Sequence, residues 1–289
     1  MEHLGTMVAG LAAILLAAGI AALVRGRFAL RETTLLPAWW WTVAALFACG
    51  GTEIATALVP ADDGWLAPLR FTAAGLTLCP IVAVLGAKRP QHHAWNFVVL
   101  AFWGIMVLPV AETFLLQRGQ RLEIGDARGW FLWPLILLGP INYLPTRRWL
   151  AALFVLAGQI LLFSEYLPLV SRPLFAGQQL AALLLVVLAL WLPKTASRPA
   201  ANPYDRLWRD FRDEFGLFWA LRLQERANFV SQANGWPFEL AWSGLVDSAT
   251  RVSMTQVDPA ITPTLRTTLQ GLLRRFVSAR WIAERLRER

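Results

Sequence analysis

The sequence predicts an all-α polytopic membrane protein of about seven transmembrane helices, carrying a small helix-rich C-terminal cytoplasmic domain. Three observations predict it. Of 289 residues, 56% are hydrophobic and only 16% charged, for a mean hydropathy of +0.47. The apolar excess is concentrated in residues 1–193. Those residues divide into runs of the length that crosses a bilayer, and a polar tail follows. Such a composition excludes a disordered chain, a collagen-like repeat and a disulfide-stapled secreted module.

The expected spans are roughly 4–24, 37–59, 66–86, 94–116, 129–145, 149–170 and 174–192. The first follows Met1-Glu2-His3, which lacks the cationic region of a signal peptide, so it reads as a retained helix. Gly5, Ala9, Ala13, Ala17 and Ala21 recur at every fourth position in it and suggest a small-residue packing face. Pro80 interrupts the third span. Pro134, Gly139 and Pro140 make the fifth the weakest; read as a re-entrant segment, it reduces the count to six. Cys49 and Cys79 lie within spans and read as small buried hydrophobes, with a pairing at similar depth as the alternative.

Basic residues in the short loops set the orientation. With the N-terminus outside, the inside segments hold Arg25, Arg27, Arg31, Lys88, Arg89, Arg147, Arg148, Lys194 and Arg198. The outside loops hold Arg118, Arg121, Arg128 and Arg172, and one of them carries Asp62 and Asp63. Nine cations against four favour an integral inner-membrane protein with its C-terminus in the cytoplasm. The abundance of arginine points to a high-GC bacterial source. Trp39, Trp40, Trp41, Trp65, Trp95, Trp130, Trp149 and Trp191 fall near predicted span ends, where amphipathic rings collect.

Several activities are excluded by absence. No histidine lies within a span to hold a haem, and no mid-span lysine offers a retinal linkage. The chain lacks a GxxxxGK[ST] loop, an HExxH motif and a GxSxG elbow. His92-His93 reads as part of a solvated loop, so neither a cofactor nor a metal is expected.

The informative residues are the ionisable ones inside the spans, namely Glu53, Arg70, Glu112 and Glu165. A charge at membrane depth costs several kcal/mol unless paired or hydrated. At about 1.5 Å per residue, all four fall within roughly 10 Å of the same outer boundary. Arg70 can pair with one glutamate. An unpaired carboxylate would then be suited to carry a proton or bind a cation. The alternative is structural: the glutamates snorkel, or lock helices together through Arg70.

Residues 194–202 form a linker to a basic domain at 203–289. The net charge is +8, with 27 basic and 19 acidic residues; 15 of the basic and 10 of the acidic ones lie beyond Pro193. A helix is predicted over Tyr204–Asn234, ended by Gly235-Trp236-Pro237. A strand over Phe238–Trp242, paired with Val252–Met254, would make the domain α+β. Thr262-Pro263 opens a helix with a stripe of Leu265, Leu269, Leu272, Leu273 and Phe276, and Ser278 caps a last one. The stripe either packs into the domain or rests on an anionic leaflet with its arginines. The expected partners are the lipid bilayer, a protein bound by this domain, and anionic lipid under its basic last helix. Nucleic acid is not expected, since no recognition motif accompanies the charge.

The first function to expect is therefore a membrane anchor or assembly scaffold acting through the cytoplasmic domain. The alternative is a transporter or proton-coupled protein using the outer glutamates; an enzyme is less expected than either, and no catalytic residue stands out.

Overall fold

The computed structural model describes residues 2–58, 63–116, 122–170, 172–175, 177–196 and 199–287. It is mostly helical, at 70%, with one small two-stranded sheet. Met1, Asp62, Arg118, Arg121, Arg198, Glu288 and Arg289, and the side chain of Asp63, lie outside the described residues.

α1 (Glu2–Leu30) and α2 (Leu36–Leu58) pack along one another, and α2 also meets α3 (Asp63–Leu76) and α4 (Cys79–Leu85). Gly19 explains the close approach of α1 and α2, because a Cβ there would sit 2.6 Å from a Leu46 methyl. The buried face of α1 runs through Ala9, Ala12, Leu15, Gly19 and Ala22. Ala13, Ala17 and Ala21 of the expected every-fourth stripe are exposed. A strict four-residue period drifts about 40° per step around a helix of 3.6 residues per turn, so the stripe winds away from its partner.

Pro80 separates α3 from α4 as expected, and together they form one apolar stretch over Trp65–Leu85. A second break, at Val107, separates α5 (Trp95–Met106) from α6 (Leu108–Leu116), which are bent by 44°. α7 (Asp126–Tyr143) contains Pro134 and Pro140. α8 (Trp149–Phe163) and α9 (Gln178–Trp191) pack side by side, and α9 returns to α1. Among the described residues, three helices are long and apolar enough to cross a membrane, or four if the bent pair is one span. α8 and α9 have 15 and 14 residues. At about 1.5 Å each they reach little more than 20 Å, short of a ~30 Å hydrocarbon core.

The C-terminal part opens with α10 (Pro203–Ala233), capped by the Asn202 side chain, which accepts from the Asp205 N–H. Its Trp208, Phe211, Phe215 and Trp219 are buried. The expected continuous helix is in fact broken at Gly216, which adopts φ 78° and ψ −173°, a region open essentially to glycine alone. Asn142, fully buried at the end of α7, fills the break: its amide donates to the Phe215 carbonyl, and its oxygen accepts from the Phe218 N–H at 3.0 Å. A Cβ on Gly216 would lie 2.1 Å from Asn142.

β1 (Phe238–Ala241) pairs antiparallel with β2 (Gly244–Asp247), with Phe238 opposite Asp247 and Ala241 opposite Gly244. The partner expected for β1, residues 252–254, instead touches β2 through a Val246–Ser253 bridge. Gly244 at φ 139° lets the chain reverse directly after Trp242-Ser243, so the nearest segment wins. α11 (Thr262–Leu273) and α12 (Ala279–Leu286) follow, and Ser278 caps α12 by accepting from the Trp281 N–H. Leu265, Leu269, Leu273, Phe276, Trp281 and Ile282 are buried in one apolar cluster with Leu35, Ile81, Val84 and Val99 of the helical bundle.

Gly216→Ala and Asn142→Leu are each expected to destabilise the protein by about 3 kcal/mol, one through backbone strain and collision, the other by stranding two buried backbone groups. Unfolding of the detergent-solubilised chain followed by circular dichroism measures both; losses under ~0.5 kcal/mol would show that the break is not held by Asn142.

Candidate functional site

Two of the four predicted site residues meet. Arg70 Nε lies 3.1 Å from Glu53 Oε1, with Glu53 buried on α2 and Arg70 part-exposed on α3. Glu112 has a different partner: Arg128 grips it through both terminal nitrogens, at 2.8 and 2.9 Å, on a half-exposed surface. Arg128 lies in the first turn of α7, and the sequence reading counted it only as a loop charge. The expected ratio of three carboxylates to one guanidinium therefore changes. Glu165 is half-buried in the turn after α8 and has an interaction of its own. Gln178 donates to the Ser164 hydroxyl, and Gln159 donates to the Thr77 carbonyl at 3.0 Å, both linking helices.

A larger ionic constellation lies at the opposite end, where the C-terminal part meets the bundle. The loop after α7 presents Arg147 and Arg148. Arg147 binds Asp210 at 2.9 Å and also Asp213, which is fully buried and is held from its other side by Arg212 at 3.1 Å. Arg148 and Lys194 share Glu214, at 3.2 and 2.8 Å. Arg285 of α12 reaches Asp210 at 3.0 Å and stacks over Trp281. Among the described residues, this network sets Asp210, Asp213 and Glu214 against Arg147, Arg148, Lys194, Arg212 and Arg285. Burial pushes the Glu214 carboxyl up, but Arg148 and Lys194 outweigh it and hold it below the usual carboxylate range.

Sequence reasoning missed this network, although its signal was present. Asp210, Asp213 and Glu214 stand at i, i+3 and i+4 on one helix, which puts three carboxylates on a single face. Arg147, Arg148 and Arg285 come from more than 60 residues away in the chain, Lys194 from 20 residues away, and Arg212 is the neighbour of Asp213, so only part of the network is local.

Backbone bonds extend the same junction. Thr34 N–H donates to the Phe276 carbonyl and Ser278 N–H to the Glu32 carbonyl, both at 2.8 Å, while Arg89 N–H donates to the Arg275 carbonyl. Trp219 donates to the Val84 carbonyl, Trp242 to that of Pro145, and Tyr143 to that of Glu214. Every segment that the charge count assigns to the inside is thus in contact with the C-terminal part. The His92 and His93 rings lie 4.0 Å apart, tilted by 42°, and among the described residues no group of three or more metal-binding side chains comes together. Comparison with known proteins finds no matching family model, no matching curated protein and no matching solved structure.

A carboxyl held low in the folded state contributes stability above its unfolded range, near pH ~4.3, and loses it as pH falls through the lower folded value. Melting temperature should therefore stay flat from neutral pH to about pH 5 and fall below it. Glu214→Gln should lower the neutral plateau and shrink the acid-induced drop; an unchanged acid drop would remove Glu214 from the junction's energetics.

Proposed function

We propose that this protein is a seven-span inner-membrane anchor that holds a basic cytoplasmic domain in one fixed orientation and assembles a partner protein on it. The single observation that supports this reading best is the attachment of the C-terminal part to four separate segments, 32–34, 84–89, 142–148 and 194–195, by buried ion pairs and backbone bonds. A tail that merely trailed from the last span would need none of these. The proposed orientation, N-terminus outside and C-terminus in the cytoplasm, is supported by the same contacts, because they gather the cation-rich loops on one side. α5–α6, α7, α8 and α9 complete the proposed seven spans with help from interfacial side chains. Arg27 over Trp39 at 5.2 Å and Arg25 over Trp191 at 5.9 Å are suited to a headgroup boundary. The exposed arginines 274, 275 and 280 add a surface that anionic lipid would favour.

Transport through the glutamates at the far end has weaker support. Glu53 and Glu112 each hold an arginine, as residues that join helices do. The partner surface proposed is the outer side of α10, where Leu221 and Phe229 are 48% and 65% exposed.

Isolation of the tagged full chain from its native membrane, with chemical cross-linking, tests this. A defined protein should be recovered with the wild type and with Glu53→Gln and Glu112→Gln, and lost with Phe229→Ser at equal abundance. If the glutamine variants abolish cellular function without lowering abundance, the anchor reading fails and transport takes its place.

A further inference from the structure

A cavity of about 420 Å³ lies inside the half of the bundle nearest the C-terminal part, walled by α1, α2, α4, α7, α8 and α9. The volume falls within the ~300–1,000 Å³ typical of small-molecule sites. Alanine, leucine and valine dominate the wall, and most of the few polar groups on it are already committed. The Thr42 hydroxyl donates to the Ala38 carbonyl, the Gln159 amide to the Thr77 carbonyl, and the Tyr143 hydroxyl to the Glu214 carbonyl. A polar solute or a file of water would find few partners along such a wall, and an alkyl chain would strand none.

One end differs. Arg148 lines the cavity there and gives Nη2 to Glu214, while among the described residues its Nε and Nη1 donate to nothing. Lys194 shares the same carboxylate, so two cations face one anion. The cavity wall on α8 runs from Arg148 past Gln159 to Leu162, fourteen residues along. Along a helix that is roughly 21 Å, which fits within a ~30 Å hydrocarbon core.

We infer that this cavity takes one acyl chain of an anionic phospholipid from the leaflet beside the C-terminal part, with the lipid phosphate on the free edge of Arg148. The inference needs the bundle to sit in a bilayer but does not need the anchor role, so either can fail without the other.

The chain itself supplies the test. Gly26 and Gly139 both line the cavity, and a Cβ on either would meet nothing within 4 Å, so the first added carbon displaces no contact. The full-length protein, delipidated in mild detergent and offered phosphatidylglycerol or phosphatidylcholine, is weighed by native mass spectrometry. The wild type should retain one phosphatidylglycerol per chain. Gly139→Leu and Gly26→Leu should each reduce that retention about tenfold while melting at or above the wild-type temperature. Arg148→Gln should keep the cavity but lower the preference for phosphatidylglycerol over phosphatidylcholine by about tenfold, the worth of a charge-assisted hydrogen bond. Wild-type retention of lipid by both filling variants, or no retained lipid in the wild type, overturns the site. Equal weakening of both lipids by Arg148→Gln overturns the headgroup assignment, as does stabilisation of the wild type by inorganic phosphate alone.

Discussion

The structure depends on a meeting between a side chain and a gap in a helix. α10 breaks at Gly216 beside the end of α7, and the break exposes a carbonyl and an N–H inside the protein. Buried backbone groups without partners are costly, and the Asn142 amide carries both a donor for the first and an acceptor for the second. That fixes the position of α10 along α7. The next residues of α7 and its loop then fall where Arg147 and Arg148 can reach Asp210, Asp213 and Glu214. An error of one residue in either helix would leave Asp213 buried without Arg147.

The electrostatics of the junction follow from that placement. A buried ion pair is poor evidence for stability, because desolvation can cancel the attraction, but removal of one partner is expensive. What a network such as Arg147–Asp213–Arg212 therefore confers is specificity: it penalises every docking geometry other than this one. The apolar cluster shared by Phe211, Phe215, Phe276, Ile81 and Val84 supplies attraction without direction. The two act on the same interface, one drawing the C-terminal part to the bundle and the other choosing its orientation.

This division explains how much was legible in the sequence. Apolar runs are local, so the helices from Glu2, Leu36 and Asp63 onward were expected close to where they lie, as were the cap at Ser278 and the buried stripe from Leu265 to Phe276. The helix break was half visible: Gly216 stood in a helical pattern, but nothing local said that Asn142 would receive it. The β1 partner differs because the apolar alternation at residues 252–254 says nothing of chain distance, and Gly244 permits the shorter return. Arg128 was missed as the partner of Glu112 for a different reason. Ion pairing joins residues by position in space, whereas loop charges had been read by side of the membrane alone.

The distribution of charge between the two ends of the bundle carries a further consequence. At the end with Glu53 and Glu112, each of these carboxylates has one arginine, an arrangement that joins helices and leaves little unbalanced charge at those pairs. At the end with Glu214, five cations surround three carboxylates, and one of the five borders an apolar cavity. Excess positive charge beside an apolar volume is stable only where an anion or water can approach it. The chain has placed its unsatisfied polarity next to the C-terminal part, on the side where the proposed orientation puts the anionic surface of the cytoplasmic leaflet. Association with that surface and attachment of the C-terminal part then draw on the same loop, so a change at Arg148 acts on both, whereas a change at Glu53 or Glu112 acts on neither.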